Sequence, residues 1–303
     1  MAQIYKCGTR DCPQPLFSDA ALAIGVFDGL HLGHRSLIAG LGGEGGRRGV
    51  LTFSPDPEEV VMPGRMRKIM SDDQRIKALA DTDVDFVAVL DFDEEFSRLS
   101  PAAFLEQLFG RDVPGSIHVG EGFRFGHKAA GTVDDMRAWG QVHGCKVEEV
   151  PLLEVDGVRV SSTRIRELLS ASDIFQANRL LGHRYRVAGI VEHGRKEGAD
   201  MGFATANVDI PEKLRVLGDG VYAAYAHFDG VVHKAAVSMG VSPTFEDAHA
   251  NCEAHIIDFD GDLYEKTIDL EFVEHLRPMR KFDDVDELIR TVMGNIEWVR
   301  NNL

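Results

Sequence analysis

Gly182 separates two rhythms in this chain. Before it, short apolar runs alternate with segments of helical period; after it, apolar runs follow one another with only turns between them. The runs at residues 21–27 (ALAIGVF), 50–53 (VLTF), 86–90 (FVAVL), 117–119 (IHV) and 146–150 (KVEEV) are too short for helices and read as buried strands. Between them the spacing predicts helices from near Leu30 and over residues 71–81, 101–109, 133–143 and 163–181. Ser71 is a natural N-cap, and Gly182 a natural stop. Strand then helix, repeated, implies an α/β domain: a parallel sheet with helices on both faces, whose ligands bind beyond the carboxyl ends of the strands.

Beyond Gly182, residues 184–192, 221–228, 231–238, 253–259 and 264–272 read as strands. Asp229-Gly230 marks a primed two-residue turn, and Asp260-Gly261-Asp262 reads the same way, so two hairpins and a further strand predict an antiparallel β-barrel. Val285, Leu288, Ile289, Val292, Ile296 and Val299 recur at helical spacing within residues 284–301, which predicts a closing C-terminal helix. The expected division is one domain over residues 1–182 and a second over 183–303, each long enough to bury its own core.

Chemistry concentrates first in residues 21–38 (ALAIGVFDGLHLGHRSLI). Asp28 and Gly29 end the strand, and a helix starting near Leu30 places His31 and His34 on one face of its first turn. Free backbone N–H groups and the positive end of the helix dipole then make a phosphate site. Gly33 leaves room for a flat ligand such as a purine. A second helix start, SSTRIR at residues 161–166, has Ser162 as N-cap, Thr163 as its first residue and Arg166 three residues on. Two hydroxyls and a guanidinium thus converge on one helix N-terminus. In the second half, residues 194–207 (GRKEGADMGFATAN) expose backbone N–H groups at Gly194, Gly198 and Gly202, while Thr205 and Asn207 offer the hard oxygens Mg²⁺ accepts beside substrate phosphates. Glu253 heads a barrel strand with His255 on the same face, and a carboxylate in the barrel mouth suits a general base toward an alcohol.

Charge sharpens this reading. Lys plus Arg total 33 against 49 for Asp plus Glu, a formal net charge of −16, which repels nucleic acid and anionic membrane surfaces. A phosphate ligand must therefore be held by local donors, with Mg²⁺ assisting. Cys7, Cys12, Cys145 and Cys252 show neither C-x-x-C spacing nor the density of a disulfide framework, so reduced thiols in a cytoplasm are expected. No apolar stretch approaches the roughly 20 residues of a membrane span, and nothing marks the chain for export.

Taken in order, the motifs resemble the family of bacterial bifunctional riboflavin kinases and FAD synthetases over nearly the whole chain. They are GVFDGLHLGH at residues 25–34, TFSPDP at 52–57, GEGFRFG at 120–126 and SSTRIR at 161–166 in the first half. The second half carries MGFATAN at 201–207, GVYAAY at 220–225, SMGVSPTF at 238–245, EAHIIDFDGDLY at 253–264 and LRPMRKF at 276–282. The resemblance implies a Rossmann-like nucleotidyltransferase domain that transfers AMP from ATP to FMN, giving FAD and pyrophosphate. A barrel that phosphorylates riboflavin to FMN follows, and both halves use ATP and Mg²⁺.

By the same resemblance, Gly25, Phe27, Asp28 and Gly33 contact ATP, and His31 and His34 hold the triphosphate and stabilise charge on the α-phosphoryl group. Ser162, Thr163 and Arg166 bind the departing pyrophosphate. Gly120, Phe123, Arg124, Phe125 and Arg277 approach the flavin. In the barrel, Gly194, Gly198, Gly202, Thr205 and Asn207 bind ATP with Mg²⁺, Thr205 and Asn207 as metal ligands, and Glu253 takes the proton of the ribityl 5′-hydroxyl. Three positions depart from the family pattern: Asp56 stands where a histidine is usual, Gly122 where Asn or Asp is, and Ala204 where proline is. Asp56 and Gly122 leave open a riboflavin kinase with a weakened or vestigial first half. A non-catalytic flavin or nucleotide sensor is a further alternative, against which the retained Glu253 argues.

Overall fold

The computed structural model describes residues 1–8, 12–42, 46–193, 203–241 and 250–303. Gly194, Gly198 and Gly202, and residues 242–245 of SMGVSPTF, lie outside the described residues. Two compact units form: Met1–Met66 with Met70–Ser161, and Arg67–Ile69 with Ser162–Leu303.

The first unit is built on six parallel strands, β1 Gln3–Cys7, β2 Ala21–Ile24, β3 Arg48–Phe53, β4 Phe86–Leu90, β5 Ser116–Gly120 and β6 Lys146–Val150. Their order is β1-β4-β3-β2-β5-β6. The order reverses between β2 and β5, and in such sheets the crevice at that reversal is where ligands bind. Successive residues of each strand enter opposite layers. Leu22, Ile24, Leu51, Phe53, Ile117 and Val119 pack with helices α5 Pro101–Phe109 and α6 Val133–His143, while Ala21, Ala23, Val50, Val87 and Val89 pack with α1 Leu32–Ala39 and α3 Asp72–Ala80. Short helices α2 Pro57–Val61 and α4 Glu94–Ser97 and the small antiparallel pair β7 Glu154–Val155 and β8 Val158–Arg159 complete the unit.

The predicted helices form where their caps are strongest. Ser71 and Thr132 each close a capping box, and Ser100 caps a helix that opens with Pro101. β1 has no counterpart among the predicted strands, because an edge strand with mostly exposed positions carries little apolar signal. The thiols also differ from expectation. Cys7, at the end of β1, is joined to Cys12 in a disulfide with Cα atoms 4.5 Å apart, whereas Cys145 and Cys252 are free and buried. Five residues of chain can span several times that distance, so the fold rather than the spacing makes the pair.

The second unit opens with two helices, not one. α7 Ser162–Ser170 stops, Ser172 takes φ 61°, and Asp173 caps α8 Ile174–Leu181 by accepting from the Gln176 N–H. α7 already includes Ser162, one residue earlier than the cap reading. Gly182 ends α8 in the left-handed conformation, as expected. A closed barrel follows, formed by β9 Arg186–Glu192, β10 Ala206–Asp209, β11 Gly220–Phe228, β12 Val231–Val241, β13 Ala250–Ile256 and β14 Thr267–Arg277 in the order β10-β13-β12-β11-β14-β9. Asp229 and Gly230, at φ 51° and 75°, turn the β11–β12 hairpin as predicted. The second expected hairpin does not form: β13 pairs with β10 and β12, and β14 with β11 and β9. A turn signature records local backbone preference, and closing the barrel overrides it here. The last helix, α9 Val285–Asn302, packs Ile296 and Val299 on Ala223 and Ala236, covering the outer face of β11 and β12.

Candidate functional sites

At the carboxyl end of β2 the backbone turns through Phe27, Gly29 and Leu30, all at positive φ (61°, 79° and 36°), and the Leu30 N–H closes the turn on the Phe27 carbonyl at 3.0 Å. The Asp28 carboxylate is buried and accepts from the Met70 N–H at 3.1 Å, which anchors the turn to the entry of α3. His31 stands before the helix, not in its first turn: it is the N-cap of α1, and its Nδ1 accepts from the His34 N–H at 3.2 Å. In neutral His31 the ring proton then belongs on Nε2.

The two imidazoles stack with centroids 3.5 Å apart and an interplanar angle of 17°, and Phe27 meets His34 edge-on at 5.2 Å. A Cβ on Gly33 would come within 3.2 Å of the His31 ring, so the room that glycine leaves is taken by His31 itself rather than kept for a purine. Gly25 similarly lies under the Phe27 ring, at 3.1 Å from such a Cβ. Burial, followed by the charges of His31 and Arg75, holds His34 well below the usual histidine range. His34 therefore meets an anion as a neutral hydrogen-bonding group beside a helix N-terminus, not as an imidazolium.

Asp56 has a local task. It is buried, its Oδ1 accepts from the Glu58 N–H at 3.0 Å, and Glu59 Oε2 accepts from the Asp56 N–H at 3.2 Å, a capping box that starts α2. Its carboxylate is aimed at its own helix. Gly122, at φ 73°, donates its N–H to Glu149 Oε1 at 3.0 Å, with open space where a side chain would be. In the same loop after Gly120, Phe125 belongs to the core, Phe123 is half-buried beside it with ring centroids 6.2 Å apart, and Arg124 is exposed. Ser162, Thr163 and Arg166 open α7 in the second unit, with Thr163 exposed and the other two half-buried.

On the barrel, Asn207 of β10 lies directly opposite Glu253 of β13, and Glu253 directly opposite Ser238 of β12. Cross-strand partners share a face, so these side chains form one row, joined through Val221 to Arg277 on β14. Cys252 and Ala254, on either side of Glu253, are buried, whereas Glu253 is half-buried and faces outward. It therefore does not occupy the barrel mouth expected from sequence. Its face is the one α9 covers on β11 and β12. His255, the next residue on that face, holds the Ala204 carbonyl through Nδ1 at 2.8 Å, which ties the segment leading to Thr205 onto β13.

Arg277 is anchored by Nε to Asn295 Oδ1 of α9 at 3.0 Å and lies over the Phe282 ring, and burial together with the charge of Arg280 lowers its pKa. Ser238 donates to Met279 Sδ at 3.6 Å. Sequence reasoning did not single out Ser238 because only the barrel register brings it to Glu253. Thr205 and Asn207 present oxygen donors with some solvent access, a set that fits Mg²⁺ carried largely by substrate phosphates and water. Among the described residues, no group of three or more His, Cys, Asp or Glu could hold a metal by itself.

The family model for FAD synthetase matches residues 14–164, and that for riboflavin kinase matches residues 181–303. The bifunctional riboflavin kinase/FMN adenylyltransferase of Pseudomonas fluorescens is 33% identical over 294 residues, covering 95% of this chain and 94% of that protein. The protein of the same description from Bacillus subtilis is 32% identical over 287 residues, covering 90% and 89%. Among solved structures, one described as a macrolide-efflux protein from Streptococcus pneumoniae superposes with a TM-score of 0.85 at 27% identity, over 98% of this chain and 99% of that one. Among the described residues of the present chain, no helix is long and apolar enough to cross a membrane.

Proposed function

We propose, for a chain that belongs to the bifunctional riboflavin kinase/FMN adenylyltransferase family and so makes both FMN and FAD, that residues 1–182 carry adenylyl transfer and residues 183–303 carry riboflavin phosphorylation. The observation that carries the residue assignment is the pairing of Asn207 with Glu253 across β10 and β13. It supports a kinase site in which Thr205 and Asn207 hold the nucleotide end while Glu253, one strand away, meets the alcohol. Glu253 takes the proton of the ribityl 5′-hydroxyl as that oxygen bonds to the γ-phosphorus, and the bond from γ-phosphorus to the bridging oxygen breaks to release ADP. Bound Mg²⁺ would neutralise phosphate charge there, with Thr205 and Asn207 as its protein ligands. By the family resemblance, Gly194, Gly198 and Gly202 serve the same nucleotide.

Adenylyl transfer makes different demands. The nucleophile is an FMN phosphate oxygen, already an anion, so alignment and charge stabilisation matter more than a base. His31, donating from Nε2, and neutral His34 hold the triphosphate over the N-terminus of α1 with Gly25, Phe27, Asp28 and Gly33. Ser162, Thr163 and Arg166 hold the pyrophosphate that leaves when the FMN oxygen has bonded to the α-phosphorus. Gly120, Phe123 and Arg124 approach the flavin, with Phe125 setting the loop from within the core, and Arg277 serves the flavin in the barrel. The substrates are riboflavin, FMN and ATP, and the workplace is the cytoplasm.

The two reactions provide the test. Glu253→Gln is expected to lower FMN formation from riboflavin by about 10²- to 10⁴-fold while FAD formation from supplied FMN continues. His31→Ala is expected to do the reverse. Unchanged FMN formation by Glu253→Gln would remove Glu253 as the base, and unchanged FAD formation by His31→Ala would remove the histidine pair from adenylyl transfer.

A further inference from the structure

Among the described residues, Arg75, on α3, is one of the largest fully buried side chains, at 1% exposure. A lone arginine inside a helix reads from sequence as a solvated residue, yet its guanidinium is spread over the carboxyl ends of two central strands. Nη1 donates to the Val26 carbonyl at 2.6 Å and to Thr52 Oγ1 at 2.5 Å, and Nη2 donates to the Phe53 carbonyl at 2.7 Å and to Asp72 Oδ1 at 2.9 Å. Thr52 Oγ1 in turn donates to the Val26 carbonyl at 3.2 Å, and Ser54 Oγ donates to Asp72 Oδ2 at 3.2 Å. Val26 immediately precedes the turn that delivers His31 and His34, and Phe53 immediately precedes SPDP.

We infer that Arg75 is a positioning residue for adenylyl transfer, clamping the ends of β2 and β3 so that the histidine-bearing turn is held in one geometry. The inference rests on the reading of His31 and His34 as the adenylyl-transfer pair. A planar fork can meet acceptors on two strands and one helix at once, which an ammonium cannot. Without it, two strand-end carbonyls would lie buried with reduced pairing and the turn would relax. A misplacement of about 1 Å costs on the order of 10²-fold in a reaction governed by alignment.

The electrostatics point the same way. His34 is faced by His31 from the cap of its own helix and by Arg75 from α3; Asp72 engages Arg75, and Arg35 of α1 turns its Nε to the Leu30 carbonyl. Burial acts first on His34, then His31, then Arg75, and all three oppose its protonation. Two imidazoles stacked at 3.5 Å cannot both carry charge at small cost, and the Arg75 cation adds to the opposition against a proton on His34.

The full-length enzyme tests this through Arg75→Lys, Arg75→Met and the milder Thr52→Val, each assayed for FAD formation from FMN and for FMN formation from riboflavin. Melting is followed alongside, and His34 is titrated by NMR. Arg75→Lys is expected to lower kcat for FAD formation at least about tenfold with a much smaller change in KM for ATP, and to leave FMN formation unchanged. Arg75→Met should show the same loss and move the His34 titration upward. Thr52→Val, which removes one point of the clamp and keeps the side-chain shape, should lose several-fold in kcat and serves as the test if the Arg75 variants fail to fold.

Near wild-type kcat in a folded Arg75→Lys protein, or in Thr52→Val if that variant alone folds, would overturn the inference. So would an unmoved His34 titration in a folded Arg75→Met protein. His31→Ala separates this inference from its premise: if that variant loses FAD formation while folded clamp variants keep it, the clamp is wrong and the histidine site stands. If His31→Ala keeps FAD formation, the premise itself fails.

Discussion

Replacing Asp56 by asparagine and by alanine distinguishes a carboxylate that repels the nucleotide from one that caps a helix. The family usually has histidine here, so sequence alone suggests an anion that weakens adenylyl transfer. In the fold, Asp56 is 2% exposed and its Oδ1 takes the Glu58 N–H at 3.0 Å. Asparagine keeps that acceptor and should cost only a few tenths of a kcal/mol, since the two residues cap about equally well. Alanine removes it and leaves a helix-start N–H unmet, a loss of about 1–2 kcal/mol. In a unit of this size that lowers the melting temperature by roughly 2–4 °C per kcal/mol. Scanning calorimetry on the full chain, with FAD formation from FMN measured in parallel, reads both quantities. Asp56→Asn should resemble wild type in both, and Asp56→Ala should melt earlier. A tenfold gain in FAD formation in Asp56→Asn, equivalent to about 1.4 kcal/mol, would show the charge acting on the substrate and refute the capping account. An unshifted melting temperature in Asp56→Ala would refute it from the other side.

Asp112 should prove a stability residue of the first unit. Its buried carboxylate accepts from the N–H groups of Leu16, Phe17 and Ser18 at 2.5, 2.8 and 2.8 Å and from the Ser18 hydroxyl at 2.5 Å. Asp112→Ala is expected to cost about 3 kcal/mol or more in urea unfolding, because several buried donors lose their acceptor. Burial alone would raise the Asp112 pKa, but the Ser18 hydroxyl and the three backbone donors outweigh it and hold the group low. Its contribution is therefore present above the unfolded-state value of about 4 and fades as pH falls through the folded-state value, so the difference between wild type and Asp112→Ala should shrink below about pH 4. In the barrel, Asn207→Ala should raise the Mg²⁺ concentration for half-maximal FMN formation several-fold while leaving the Mg²⁺ dependence of FAD formation unchanged; equal shifts in both reactions would count against a metal role for Asn207.

What the chain's own periodicity determined was the sequence of elements. The β/α alternation before Gly182 was legible because a strand buried on both faces is a continuous apolar run and each helix carries its own cap, as at Ser71, Thr132 and Ser100. The β11–β12 hairpin was legible for the same local reason, the pair of positive φ angles that Asp229-Gly230 supplies. The ordered motifs also marked the histidine pair, Asn207 and Glu253 as separate candidates.

Their arrangement depended on contacts that local periods of 2 and 3.6 residues do not record. Barrel closure separated β13 from β14 despite the Asp-Gly-Asp turn, turned Glu253 outward and set Asn207 opposite it. The break at Ser172 divided a run of helical spacing in two, and the packing around β1 joined Cys7 to Cys12. Arg75 is the plainest case. Its residue type and spacing suggest solvent, and only the convergence of β2, β3 and α3 gives a buried guanidinium four acceptors to hold. Sequence thus determined which groups and elements the protein possesses, whereas tertiary structure decided which of them meet, because side-chain chemistry acts over a few ångströms and those distances are set by residues far apart in the chain.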